Sequence, residues 1–357
     1  MHVTRLKLAN YRNYKVLDFE PHPGLTLLFG DNAQGKTNVL ESVYLCAVGR
    51  SHRTNHDSEL VAKGEDAAYI RADVLRGGID RRIEVRLMRN GRKQIRIDGA
   101  AIARMGDLMG CLNAVLFSPE ELSLVKEGPH ARRRFLDVLL CQTSRAYFYS
   151  LVSYQRALSQ RNTLLKAMRE QDQRRSSQLE VWEEQLALHS TALHTARKGA
   201  MERIAPAASA LHERIAGGAE ALTLRYKGDL YGRELKDMLA ANREDDIRRK
   251  STGRGPHRDD FSVVVDGTDL RAFGSQGQQR TAALSIKLAE AACMEQMSGE
   301  QPVLLLDDVL SELDSGRQKR LLETVSDRQA ILTCTSPPKG VRAEKRMCVQ
   351  GGVLFPE

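Results

Sequence analysis

The residues from Gly30 to Thr37 read GDNAQGKT, which fits GxxxxGK[ST], the pattern of a loop that cradles phosphates. The spacing has a physical purpose. Gly30 and Gly35 let the backbone pass close to a phosphate, with N–H groups turned inward along Asp31, Asn32, Ala33 and Gln34. Lys36 is long enough to reach the β- and γ-phosphates of ATP, and the Thr37 hydroxyl can ligate Mg²⁺. The flanks suit that purpose. "GLTLLFG" before the loop reads as a buried strand. "TNVLESVYLCAVG" after it reads as a helix with Val39, Leu40, Val43, Tyr44 and Ala47 on one face and Gly49 as its stop.

Two more segments carry chemistry. "VLLLDDVLSELD" (303–314) is an apolar run ending in two carboxylates, the form of a buried strand that delivers acids to a phosphate site. Asp307 would hold the magnesium, directly or through water, and Asp308 would orient or deprotonate the attacking water. By itself "LLLDD" reads equally as a strand followed by a helix cap. "GSQGQQRTAALSIKLAE" (274–290) places Ser275, Gly277 and Gln278 where a helix begins. Small residues and free N–H groups at the positive end of a helix dipole can receive a phosphate. A plain N-cap by Ser275 would accept the same residues.

These segments need a scaffold. "VTRLKLANY" and "KVLDFEP" read as short strands. Residues 68–98 read as an antiparallel meander with turns at "RGGID" and "RNGRK". "NAVLFSPEEL" is a buried strand that breaks at Pro119. From Arg132 to Ile215 helix formers dominate, with only Gly199 and Pro206 as interruptions, so several long helices are expected, closing by about Lys250. "STGRGPHRDD" is a glycine-rich return. Strand texture then resumes in "FSVVVDGTDLRAF", "QPVLLLDDVL", "RQAILTCTS" and "RMCVQGGVLF". The expected fold is α/β: an ATPase head (1–118 and 253–357) with an antiparallel β subdomain, interrupted by an inserted helical lobe (119–252).

Bulk properties narrow the partners. The net charge is +8 and the pI about 9.2, which favours a polyanion. Between Lys126 and Glu180 there are 11 Lys/Arg against 5 Asp/Glu, densest at Arg132–Arg134 and Arg174–Arg175. Arg81, Arg82, Arg86, Arg89, Arg92, Lys93 and Arg96 crowd the meander. In any single case a solvated face is the simpler reading. Aromatic residues make up only 5%, so DNA would be gripped through its phosphates, independently of sequence and with strong salt dependence. No run of ~18 apolar residues could span a membrane. The six cysteines are scattered with no CxxC pair, as fits a cytoplasmic protein.

The order "NYRNY", "GDNAQGKTNVLES", "GRSHRT", "FSPEEL…LVKEGPHARRRFLD", "GPHRDD", "SQGQQRT" and "LLLDDVLSELD" resembles the bacterial RecF family, within the ABC-type ATPases, over most of the chain. The resemblance implies an SMC-like head and a helical second lobe. It implies an ATP-dependent homodimer in which Ser275 and Gly277 reach the nucleotide of the other subunit. It also implies binding to double-stranded and gapped DNA, slow ATP hydrolysis, and partnership with RecR and RecO in loading recombinase.

Two departures from the general ABC pattern stand out. The residue after the magnesium aspartate is usually glutamate, and Asp308 is a methylene shorter, which predicts low turnover. The usual switch histidine is missing: "ILTCTS" offers Thr333 and Thr335 instead, and no glutamine stands near "FSPEE". In "GRSHRT", Arg50 and Arg53 suit either a phosphate contact or a helix-end dipole partner. Three other readings are open. A transporter ATPase subunit would share the motifs but not the basic lobe. A nuclease would need further carboxylates that the short tail after "SELD" does not supply. An ATP-gated clamp would act by binding, with hydrolysis only timing release.

Overall fold

The structure, a computed structural model, describes residues 1–171, 177–218, 220–229, 231–338 and 342–357. Its centre is a six-stranded sheet in the order Val353–Pro356, Lys345–Gln350, Leu25–Phe29, Ala330–Cys334, Val303–Asp307, Ala114–Phe117. Every pairing is parallel except the terminal hairpin at one edge. Parallel strands are covered on both faces, so the inner ones are apolar at most positions. The alternation along them separates two cores. Leu27, Leu304, Leu306 and Leu332 point into one; Leu28, Val303, Leu305 and Ile331 point into the other.

The second of those cores lies beneath the antiparallel meander: Tyr14–Phe19, His2–Tyr11, Ala67–Arg76, Ile79–Met88, Gln94–Ile97 and Ala100–Ala101. Ile83, Val85 and Leu87 supply its inward face. Between the two sheets runs the helix Lys36–Val48, closed by Gly49 at φ 73°. It is buried nearly all round, Glu41 and Ser42 included, rather than along one face.

The first core joins the central sheet to the helix Gln276–Ser298 and to the inserted helices Pro129–Thr143, Arg145–Glu170 and Ser177–Ala216. The last of these is 40 residues long and runs through Pro206. Residues 119–252 are not purely helical. Leu222–Lys227 pairs antiparallel with Asp260–Val265 in a three-stranded sheet completed by Thr268–Asp269. Leu222 and Leu224 alternate inward there, so a strand late in the insertion is stitched to the segment that follows it.

Candidate functional site

The GDNAQGKT loop leaves the strand Leu25–Phe29 and enters the helix Lys36–Val48. Two of its glycines are required by contact as well as by torsion. A Cβ on Gly30 (φ +144°) would sit 2.4 Å from the Val349 carbonyl oxygen, and one on Gly35 (φ +115°) 2.6 Å from Asn13 Nδ2. Lys36 Nζ donates to the carbonyls of Gly30 (2.6 Å) and Asp31 (2.8 Å), so the loop wraps its own lysine. Asp31, Asn32 and Ala33 form the exposed lip.

Segments far apart in sequence brace this loop. Asn13 Nδ2 donates to the Gln34 carbonyl (2.8 Å), and the Tyr14 hydroxyl donates to the Gly35 carbonyl (3.1 Å). Gln34 Oε1 accepts from Gly351 N–H at 2.7 Å. Asn38 donates to Asn13 Oδ1 and accepts from Arg53 Nη1. One turn on, buried Glu41 takes a two-pronged bond from Arg12 (2.9 and 2.8 Å), with further bonds from Tyr11 and Ser51. Burial raises the Glu41 carboxyl most, yet the Arg12 fork with the two hydroxyls outweighs it and leaves the group below its ordinary range. "NYRNY" and "GRSHRT" are therefore the frame of the loop. Arg53 reaches Asn38 beside it, while Arg50 stays exposed beyond Gly49.

The carboxylates of "LLLDD" arrive one strand away. Thr37 Oγ1 donates to Asp307 Oδ1 at 2.8 Å, so the loop threonine and the strand-end acid meet although 270 residues separate them. Thr333, paired with Asp307 across the neighbouring strand, donates to the same oxygen at 2.7 Å and accepts from Asp308 N–H at 3.0 Å. Burial raises the Asp307 carboxyl above its ordinary value against these two bonds, and the charge of Glu120 adds to the rise. One carboxylate and one hydroxyl, facing a phosphate loop, are the protein share of the oxygens that Mg²⁺ takes when phosphates supply others. The residues present thus fit that ion. Asp308 adopts the left-handed backbone region (φ 51°), and its Oδ1 is buried without a hydrogen-bond partner. A buried orphan carboxylate oxygen in this place is a group ready to accept from water.

Sequence reasoning missed Thr333 as the residue tying both acids together and Glu120 as a charge near them. The first was detectable as the one buried hydroxyl in the strand Ala330–Cys334. The second sits in the turn Pro119–Leu122, where a glutamine was sought.

The 274–278 turn is a formed helix start. Ser275 Oγ accepts from Gln278 N–H (3.2 Å), and Gln278 Oε1 accepts from Ser275 N–H (3.1 Å). Gln278 Nε2 donates to Glu220, so both ends of its amide are engaged. A capping hydroxyl still has its own hydrogen to give. Ser275 is exposed, and the first helical N–H groups, at Gln276 and Gly277, have no partner within the helix. The cap and the phosphate-donor readings of this stretch therefore coexist.

"GPHRDD" is structural. Asp259 accepts from Arg197 (3.0 Å), from the Tyr226 hydroxyl and from Asp229 N–H. Asp260 pairs with Arg132 at 2.6 Å. His257 lies between the Tyr154 hydroxyl (2.8 Å) and the Thr252 carbonyl (3.0 Å). These bonds fasten the inserted helices to the returning chain.

The basic count overstates the basic surface. Arg132 is buried, Arg133 donates to the Asp259 carbonyl, and of the triplet only Arg134 is exposed. Arg161 is fully buried on Glu183 and Asp246, because an arginine inside a lobe must be paired. In the meander, Arg81 pairs with Asp98, Arg82 with Asp73 and Lys93 with Asp57, while Arg89 caps backbone carbonyls. Arg86 and Arg96 share its outer face with Glu84. Arg174 and Arg175 lie outside the described residues. Among the described residues no helix is long and apolar enough to cross a membrane.

Residues 2–350 match the model of the RecF/RecN/SMC N-terminal domain. The chain is 44% identical over 335 residues to the DNA replication and repair protein RecF of Lachnoclostridium phytofermentans, covering 94% of this chain and 93% of that one. It is 42% identical to the protein of the same name from Lachnospira eligens, over the same shares. Among solved structures it superposes with a TM-score of 0.92 on the recombination mediator protein RecF with ATP in the RecFOR pathway, at 34% identity, covering 100% of this chain and 97% of that one. An SMC head domain from Pyrococcus furiosus shares the fold, with a TM-score of 0.59 at 18% identity over 99% of this chain and 95% of that one.

Proposed function

Since this chain belongs to the RecF/RecN/SMC N-terminal domain family, and to its RecF members in particular, we propose that it is an ATP-dependent DNA-binding protein of recombinational repair. In this reading it dimerises on ATP and grips double-stranded and gapped DNA through phosphates, without reading sequence. It acts in the cytoplasm with RecR- and RecO-like mediators to load recombinase at single-strand/duplex junctions, and it hydrolyses ATP slowly.

The observation that carries the reading is the meeting of Thr37, Asp307 and Thr333 at one carboxylate oxygen in front of a loop whose glycines admit a phosphate. The backbone from Gly30 to Thr37 would cradle the nucleotide, and Lys36 would exchange its loop carbonyls for phosphate oxygens. Thr37 and Asp307 would hold the magnesium, which when bound neutralises charge on the β- and γ-phosphates. Asp308 would hold a water for in-line attack and take its proton on the orphan Oδ1. Its short reach and its left-handed backbone support slow turnover and a switch-like use of hydrolysis. Ser275, the N–H of Gly277 and the helix start shaped by Gln278 would meet the γ-phosphate held by a second copy.

The test is solution mass with and without ATP–Mg²⁺, for the wild type and for Ser275→Arg. ATP should double the wild-type mass and leave the variant monomeric while the variant still binds nucleotide. Equal behaviour of the two would refute the split site. A second reading, an ATP-gated clamp whose turnover only times release, draws on the same Asp308 geometry. It is separated by Asp308→Asn, which keeps DNA binding under both readings but keeps repair function under the clamp reading alone.

A further inference from the structure

A groove of about 760 Å³ lies outside the nucleotide loop, between the helices Pro129–Thr143 and Arg145–Glu170 on one side and the Val48–Arg50 end of the loop helix on the other. Its floor is apolar. Phe148, Leu151, Val152 and Leu158 line it from one helix at helical spacing, and Val138 from the other. Val152 is 47% exposed. The stripe from Phe148 to Leu158 runs about 15 Å along its helix. That is the length of four or five extended residues, at roughly 3.3 Å each.

The rim is positive and poorly compensated. Arg50 and Arg134 are exposed and make no hydrogen bond or ion pair among the described residues. Arg133 gives only one bond, to a neutral backbone carbonyl. The carboxylate lining the groove, Asp137, is already held by Arg197 and Tyr147, and it hydrogen-bonds to none of these three. Burial, and next the nearby Arg197 charge, make the Arg133 cation less favourable than usual, and the charges of Asp260, Asp137 and Asp259 offset only part of that.

We propose that this groove docks a short acidic segment of a partner protein: carboxylates on Arg50, Arg133 and Arg134, and one bulky apolar side chain on the floor between Val138 and Val152. Charge complementarity selects an anion. The half-buried apolar stripe, with Val152 exposed at its middle, selects a peptide over nucleic acid, because a phosphate backbone has nothing to bury there. The length of the stripe, about 15 Å, suits a short extended chain.

The probe is a fluorescein-labelled peptide, Glu-Asp-Glu-Leu-Phe-Glu-Asp, titrated with the full chain and read by fluorescence anisotropy. The control peptide carries lysine at every acidic position. The acidic peptide should bind and the lysine peptide should not. Arg134→Glu should weaken binding at least tenfold, and so should Val152→Asp, which keeps every rim cation. Both positions are exposed, and retained ATP binding by each variant reports that the fold is intact. The proposal is overturned if the lysine peptide binds as well, or if either variant binds like the wild type. It is also overturned if a short DNA duplex displaces the peptide stoichiometrically, since the groove would then be a phosphate surface.

Discussion

The Thr333 hydroxyl donates to Asp307 Oδ1 at 2.7 Å while its own oxygen accepts the N–H of Asp308 at 3.0 Å. A single side chain thereby holds one carboxylate and the backbone of the next aspartate on the neighbouring strand. Thr333→Val keeps the shape and removes both bonds. Leaving buried polar groups unpaired should cost about 1–3 kcal/mol of stability. ATP turnover should fall ten- to a hundredfold while ATP-dependent dimerisation persists, as single-turnover kinetics and solution mass would show. Unchanged turnover would mean that Thr333 serves packing alone.

Arg12 and Glu41 form a buried bidentate pair, with the Glu41 side chain fully enclosed. Removing the arginine strands a carboxylate in the core. Arg12→Ala should therefore destabilise by about 3–5 kcal/mol, read from the urea midpoint. Glu41→Gln, which keeps two hydrogen-bonding atoms without the charge, should cost less. A smaller loss for Arg12→Ala than for Glu41→Gln would contradict the pairing.

Acid should cost stability through two partly buried histidines. Burial lowers His52 and His257 most among their influences, each to about 4, against an ordinary 6.5. A depressed value means that the fold favours the neutral ring. The associated stability is complete above about 6.5 and drains as pH falls toward 4. Together the two account for about 6–7 kcal/mol between neutral pH and pH 4. Melting temperature plotted against pH should fall through that window, and His257→Gln should flatten the curve. A curve that stays level down to pH 4 would show both rings protonated at no cost.

Asp308 stands at φ 51°, a region that Asp and Asn enter more readily than Glu. If Asp308 positions the attacking water as proposed, Asp308→Glu should extend the carboxylate toward it and raise turnover severalfold, with melting lowered by a few degrees. Asp308→Asn should abolish turnover and keep the ATP-induced dimer. Turnover no faster in the glutamate variant would show that side-chain length does not limit the rate.

Gly30 faces the Val349 carbonyl at a distance no side chain can share. Gly30→Ala should cost nucleotide binding at least a hundredfold, with the terminal hairpin displaced, as calorimetry and amide exchange across 345–356 would report. A variant that binds normally would imply that the hairpin yields.

Much of this was present in residue types and spacing. GDNAQGKT after an apolar strand, "LLLDD", and a small-residue helix start name a phosphate site because each encodes its local geometry: φ > 0 glycines, strand-end acids, an N-cap. The alternation in residues 68–98 showed the meander, since a strand with one wet face must alternate. What only the tertiary structure decided depends on neighbours distant in the chain. That Thr37, Asp307 and Thr333 share an oxygen follows from parallel strand order. That Asn13 and Gln34 brace one loop follows from two sheets closing on one helix. Charge misled most. Arg132 and Arg161 stand in the basic stretch yet are buried against Asp260 and Glu183. A guanidinium's place is set by which carboxylate the fold brings to it, and a linear sequence does not carry that information.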